Sequence, residues 1–358
     1  MTPTRLEINL AAIADNWRLL GARHASGPVA GVLKADAYGL GAARVAAHLH
    51  AAGCRHFFTA HLEEALAIRA LVPGAMLAAL HTPLPGSEED YLAHGVLPVL
   101  GSLDDIARFA AIARGRDVPV EALLHVDTGM NRLGLDAAEL ALLHDSPALL
   151  DGIALRYVMT HLIASEEPED PANAAQHRRF AAACAGLPAA PRSFANSSGI
   201  FLGDAFATDL ARPGAALYGI NPTPGQPNPM RPAVRLSARV LQVRSVPAGA
   251  SVGYNATWQA SRPSRIATVA AGYADGWPRS LGSRGHAVFD GAPIPLVGRV
   301  SMDLTTYDVT DHPRIGPGSW LDLIGPGRSV DDVAADAGTN GYEVLTRLGS
   351  RYHRVWRA

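Results

Sequence analysis

VAGVLKADAYGLGAARVAAHLHAAGCRHFFTA, Val29 to Ala60, is the stretch that decides the fold. It opens with a short apolar run, Val29 to Lys34, which reads as a strand. It continues through an Ala/Leu-rich stretch, Ala42 to Ala52, whose apolar residues recur at i, i+3 and i+4 as on one face of a helix. A second apolar run, His56 to Ala60, closes it. The same alternation extends in both directions, from Pro28 to about Gly214. Further strands are predicted at Met76 to Leu80, Leu97 to Leu100, Val120 to Val126, Leu155 to His161, Arg192 to Asn196 and Thr208 to Arg212. Helices are predicted at Leu62 to Ala70, Leu103 to Ala113 and Ala172 to Ala185. Eight strands alternating with helices predict a (β/α)8 TIM barrel of the α/β class, although the alternation alone also fits a doubly wound open sheet.

NPTPGQPNP, Asn221 to Pro229, then breaks every periodicity and marks a boundary. Beyond it, ARVLQVRSV, RIATVAAGYAD, AVFDGAPIPLVGRV and SWLDLIG are Val/Ile-rich runs spaced by Gly/Pro turns, with helical spacing only at Val330 to Ala337. This texture predicts a mostly β C-terminal domain over 226–358 after a barrel over 11–225. The opening RLEINL alternates like a strand, so 1–10 is expected to join the β domain.

Composition narrows the function. The 358 residues carry 31 Lys+Arg against 33 Asp+Glu, a formal charge of -2 that supplies no field for nucleic acid or an anionic membrane. No apolar run approaches the roughly 18 residues of a membrane helix, and Arg5 and Glu7 stand where a signal peptide would be apolar. A cytoplasmic enzyme is expected. Cys54 and Cys184 lack CxxC or zinc-type spacing and read as reduced thiols; no metal site is expected.

Of the 31 basic side chains, 30 are arginine, and Lys34 is the only lysine. Arginine serves as well as lysine for solvation and ion pairs. It stays protonated above pH ~12, however, whereas a lysine amine can lose its proton, form a Schiff base and act as a base. In a barrel, catalytic groups lie at the C-terminal ends of the strands. Those ends carry Lys34, Arg132, His161, Asn196 with Ser197, and Arg212 followed by Pro213 and Gly214. An amine, Gly-rich turns able to cradle a phosphate and a group for a pyridine nitrogen are what pyridoxal phosphate requires.

VLKADAYGLG (Val32 to Gly41) closely resembles the cofactor-lysine motif of alanine racemases. The resemblance continues in order through HVDTGMNRLGL, YVMTHLIASEE, ANSSG, ARPGAALYG, VGYNATW, AGYADGWPR and VGRVSMDLTTYDV, and spans nearly the whole chain. It implies a barrel followed by a β domain, working as a head-to-tail homodimer on L- and D-alanine with pyridoxal 5'-phosphate, and a place in D-alanine biosynthesis or its degradation. Position by position, it makes Lys34 the Schiff-base lysine and Tyr38, Ser197 and Gly214 phosphate contacts, with Asn196 beside the cofactor. Arg212 matches the arginine facing the pyridine nitrogen. Arg132 matches the one oriented toward the phenolic oxygen and the substrate carboxylate, with His161 bridging the network. Tyr254 matches the second base, supplied by the partner subunit. Tyr273, Met302 and Asp303 match partner residues at the entrance and carboxylate site.

Two positions depart from the pattern. His125 stands where many members have a lysine, often carbamylated, so Arg132 needs another support: a hydrogen bond from His125 or a bound anion. The family's C-terminal phosphate tyrosine falls near SRYHR, where Ser350 and Tyr352 are the candidates. The alternatives to an alanine racemase are a broader amino-acid racemase on the same scaffold and a non-catalytic pyridoxal-phosphate-binding protein.

Overall fold

The computed structural model describes residues 2–358. The chain begins with β1 (Thr4–Asn9) and a helix over Leu10–Arg23, whose first turn is capped by Asn9 accepting from Ala12 N at 2.9 Å. A parallel sheet follows, hydrogen-bonded in sequence order. Its strands are β2 (Gly31–Val32), β3 (His56–Thr59), β4 (Met76–Ala79), β5 (Leu97–Leu100), β6 (Val120–His125), β7 (Ile153–Met159) and β8 (Arg192–Ser193).

The eighth predicted strand closes the ring without forming a regular ladder. Leu210 bridges Ser193 and Ala211 bridges Val29, so the segment joins both edges of the sheet. Side chains take over the remaining pairing: Asp209 Oδ2 accepts from Arg192 N at 2.7 Å and Thr208 Oγ1 from Phe194 N at 3.1 Å. Pro213 then ends the segment, having no N–H to donate. The predicted first strand is likewise shorter than its apolar run, because the backbone turns left-handed directly after Lys34.

Strand alternation sorts the core. Val32, Phe58, Ala78, Val99, Leu123, Tyr157 and Met159 fill the barrel interior. Their neighbours Phe57, Leu77, Ala79, Leu124 and Val158 face outward into the layer beneath the helices.

The C-terminal part is mostly β. Its strands are β9 (Val234–Val246), β10 (Ser251–Val252), β11 (Trp258–Gln259), β12 (Ser264–Val269), β13 (His286–Phe289), β14 (Ala292–Pro295), β15 (Thr305–Asp308), β16 (Trp320–Ile324) and β17 (His353–Arg357). The long β9 is the spine, pairing antiparallel with β1, β16 and β12. β1 lies between β9 and, in parallel, β17, so the first strand of the chain is built into the last sheet. The predicted helix Val330–Ala337 is present, closed at its start by a Ser329–Asp332 capping box. A six-residue helix, Gly341–Thr346, has no counterpart in the sequence reading. Trp356 of β17 donates to Leu40 O at 2.9 Å, and Arg354 donates to Gly39 O. These bonds dock the β domain onto the segment that begins at Lys34.

Candidate active site

Lys34 sits where β2 ends, and the four residues after it, Ala35 to Tyr38, all adopt left-handed backbone with φ of 53–55°. Each such non-Gly residue costs about 1–2 kcal/mol. The turn persists because its polar groups are satisfied. Glu64 Oε1 accepts from Ala35 N at 2.7 Å, Asp36 Oδ1 from Ala42 N at 2.7 Å, and Leu33 O from Ala37 N at 2.8 Å. Burial of Ala37 and Tyr38 adds to this. The result puts the Lys34 amine and the Tyr38 hydroxyl, four residues apart, into one cavity of 640 Å³ at the C-terminal mouth of the barrel.

That cavity is also lined by Arg132, His161, Asn196, Ser197, Arg212 and Gly214, so eight of the sequence-derived site residues converge there. One end gathers hydroxyl groups around a tight backbone turn. Ser197 Oγ accepts from Gly214 N at 3.1 Å and Ala216 N at 3.2 Å, at the start of the short helical turn Ala215–Tyr218. The Tyr38 hydroxyl lies so close to Gly214 that a Cβ there would run into it. Burial pushes the Tyr38 phenol up to about 12, keeping it a proton donor at neutral pH. Asn196 Oδ1 accepts from Ser165 Oγ at 2.9 Å and Gly199 N at 2.8 Å, which fixes the loop that carries Ser197.

One side of the cavity is cationic, lined by Lys34, Arg132 and Arg212. Arg212 is buried, donating to Ser193 Oγ and, at 2.5 Å, to Thr160 O; burial lowers it to about 10, still a cation at neutral pH. The Lys34 amine lies below its ordinary range. Burial is the largest cause, the Arg132 charge adds to it, Glu64 opposes it and Arg212 contributes last. His161 is pushed down to about 3 by burial, then by Arg212, Lys34, Arg132 and His125, so its imidazole is neutral. His125, pushed down to about 4 by burial and Arg212, is neutral as well.

Arg132 is held by its backbone. The structure gives it no hydrogen bond to His125. Instead the Asp127 carboxylate accepts from Gly129 N at 2.8 Å, Met130 N at 2.9 Å and Asn131 N at 2.8 Å, and Leu135 N returns to His125 O at 2.9 Å. Gln176, fully buried on the helix Pro171–Ala185, ties this loop to the next by donating to Thr128 Oγ1 and His161 O, each at 2.9 Å. Nothing in the sequence singled Gln176 out, because a lone polar residue in a helix pattern usually faces solvent.

Four sequence-derived residues lie elsewhere. Tyr254 is 66% exposed on the loop between β10 and β11, and Tyr273, Met302 and Asp303 form an exposed patch of the β domain. Ala274 N donates to Met302 O at 2.9 Å within that patch, and Asp303 pairs with Arg351 at 2.8 Å. Neither C-terminal candidate lines the cavity: Ser350 is exposed and Tyr352 is buried in the β domain. The C-terminal tyrosine that reaches the cavity is Tyr342, on the unanticipated helix Gly341–Thr346, its ring edge-on to Tyr38 with centroids 6.5 Å apart.

A parallel barrel whose one lysine shares a cavity with Tyr38, Ser197 and Gly214 fits the class of enzymes that hold a phosphorylated cofactor beside a reactive lysine. The model of the alanine racemase N-terminal domain matches residues 8–222, and that of the alanine racemase C-terminal domain matches 233–356. The alanine racemase of Acidiphilium cryptum is 58% identical over 355 residues, covering 99% of each chain. The crystal structure of alanine racemase from Bartonella henselae, with covalently bound pyridoxal phosphate, superposes with a TM-score of 0.97 at 40% identity, covering 100% of both chains. The biosynthetic alanine racemase of Pseudomonas aeruginosa superposes with a TM-score of 0.93 at 34% identity, also over 100% of both. The chain belongs to the alanine racemase family.

Proposed function

We propose that Lys34 and the Tyr254 of a partner subunit are the two opposed proton carriers of this enzyme. The activity they serve is the interconversion of L- and D-alanine with pyridoxal phosphate. The observation that carries the reading is the lone lysine, its amine lowered in pKa, facing the cradle of Tyr38, Ser197 and Gly214 across one cavity.

The residues present fit the cofactor. A side chain at Gly214 would collide with the Tyr38 hydroxyl, so the glycine is what lets that hydroxyl pack against the turn beside Ser197 in the cavity. Tyr38, Ser197 and the Gly214 backbone would hold the phosphate, and Tyr342, reaching the same end of the cavity, would donate a further hydrogen bond. Arg212 would face the ring nitrogen, with Asn196 beside the ring. When bound, the cofactor supplies the electron-withdrawing system that acidifies the Cα–H of an attached amino acid.

Racemisation takes a proton from one face of Cα and returns one to the other, so two opposed bases serve better than one. Burial and the Arg132 charge lower the Lys34 amine below its ordinary range, which favours it as the base on the first face. Tyr254 is exposed on the loop between β10 and β11, which supports the reading that it serves the mouth of a second copy in a head-to-tail homodimer. A free phenol titrates near pH ~10, so the phenolate of the partner's Tyr254 needs stabilisation. Neutral His161 offers an N–H donor, and Arg132 and Arg212 supply positive charge. Arg132, exposed at the mouth, would also take the substrate carboxylate, with the partner's Met302 and Asp303 closing that side and its Tyr273 at the entrance. Two reduced thiols and no helix long and apolar enough to cross a membrane, among the described residues, fit a cytoplasmic enzyme. We assign the barrel to 11–225 and the β domain to 226–358 with the strand at 1–10.

The test is the circular dichroism of L-alanine incubated with cofactor-loaded protein. The signal is expected to decay to zero. A constant signal with the cofactor bound would overturn alanine as substrate and turn attention to larger amino acids.

A further inference from the structure

Tyr342 has one hydroxyl proton and two claims on it. The hydroxyl donates to the Glu166 carboxylate, across the gap between the loop after β7 and the helix Gly341–Thr346. Its ring meanwhile lines the cavity beside Tyr38 and Gly214, where a phosphate would be held. A phenol is a single donor, so its hydrogen bond can go to Glu166 or to a phosphate oxygen but not to both. Burial and the adjacent Glu166 charge push the Tyr342 phenol up, so it remains protonated and donates.

Charge acts in the same direction. Glu166 lines the cavity and is exposed, and Asp331 behind it is raised by burial, despite a hydrogen bond from Asn221 N, and then by the charges of Asp332 and Glu166. Glu166, Asp331 and Tyr342 together line a second cavity of 190 Å³ adjoining the first. This edge of the site is therefore negative, whereas the Lys34, Arg132 and Arg212 side is positive. A phosphate held by Tyr38, Ser197 and Tyr342 would have the Glu166 carboxylate on one flank.

We propose that Glu166 opposes cofactor binding, competing with the phosphate for the Tyr342 proton and repelling its charge, and so sets how readily the cofactor leaves. The inference rests on the reading of Tyr342 as a phosphate ligand. Removing the negative charge while keeping the side-chain shape tightens the cofactor, and removing the hydroxyl loosens it.

The experiment uses the loaded full-length protein. Holoenzymes of the wild type, Glu166→Gln, Tyr342→Phe and the double variant are diluted in series, and the cofactor retained by each is measured from its absorbance after filtration. Glu166→Gln is expected to lower the dissociation constant about fivefold, the size of one exposed charge interaction. The gain should shrink as salt is raised. In the Tyr342→Phe background the gain should fall to the part due to charge alone. An unchanged or weakened cofactor in Glu166→Gln overturns the proposal, and an undiminished gain in the double variant overturns the competition for the proton. Full retention by Tyr342→Phe instead overturns the reading of Tyr342 as a phosphate ligand, which separates the two failures.

Discussion

Gly214 is where a single methyl group tests the phosphate cradle. Its Cβ would collide with the Tyr38 hydroxyl, so Gly214→Ala must displace that phenol or the turn carrying Ser197. The expected result is at least a tenfold rise in the cofactor dissociation constant, with the far-ultraviolet circular dichroism unchanged; retention like the wild type's would mean that the phosphate sits elsewhere. His125 makes a second residue-scale prediction. It is buried, and its imidazole is lowered from 6.5 to about 4, by burial first, then by Arg212, with Asp127 opposing and Arg132 adding. Between those values the unfolded chain binds a proton that the fold refuses. The stability it contributes is complete above pH 6.5 and is lost as the pH falls toward 4. By linkage His125 alone accounts for about 2 kcal/mol of loss between pH 7 and pH 5. Urea midpoints across that range should fall less steeply in His125→Asn, and parallel slopes would refute the assignment. Lys34 was legible in the sequence because it is unique, and the strand-end residues because a barrel gathers them. Tyr342 was not: its helix is six residues long, too short to show a period, and only its docking against the barrel brings it to the cavity.

Among the elements, the left-handed turn after Lys34 carries four consecutive non-Gly residues at positive φ, and Glu64 is the carboxylate that ties its start to the neighbouring strand. Glu64, on the helix Leu62–Arg69, accepts from Ala35 N and from Ala60 N, each at 2.7 Å, so it joins the end of β2 to the end of β3. Glu64→Ala leaves three backbone donors, Ala35 N, Ala60 N and the more distant His61 N, without that acceptor and should cost about 2 kcal/mol. Glu64 also holds the Lys34 pKa up against burial and the arginines, so the variant's Lys34 should titrate lower than the wild type's. A pH–rate profile whose acid limb does not move would sink that coupling. The same element shows where apolar pattern misleads. Val29 to Lys34 is continuous as sequence, yet only Gly31–Val32 forms ladder, since Val29 makes an isolated bridge and the backbone inverts after Lys34. At the other end of the barrel, Thr208 and Asp209 replace ladder bonds with side-chain bonds. Hydrophobic alternation records which residues are buried, and it placed the helices Leu103–Ala113 and Val330–Ala337 correctly. It does not record which groups satisfy the backbone.

For the whole molecule, the cavity of one chain holds Lys34 but not Tyr254, which is 66% exposed on the β domain together with Met302 at 54% and Tyr273 at 42%. These exposed aromatic and apolar side chains fit the partner contact proposed above. If the second base comes from a partner, each dimer has two sites, each pairing one chain's Lys34 with the other chain's Tyr254. Lys34→Arg and Tyr254→Phe homodimers should then both be inactive toward racemisation. Mixing them by dissociation and reassociation produces heterodimers with one doubly impaired site and one intact site, made from the Lys34 of one chain and the Tyr254 of the other. With random pairing half of the dimers are mixed and half of their sites intact, so about a quarter of the wild-type rate should return. The recovery should follow the heterodimer fraction measured by native mass spectrometry. Continued inactivity of the mixture, with heterodimers present, would mean that Tyr254 serves its own chain or is no base at all. Recovery would fix the dimer as the smallest unit that contains a complete site.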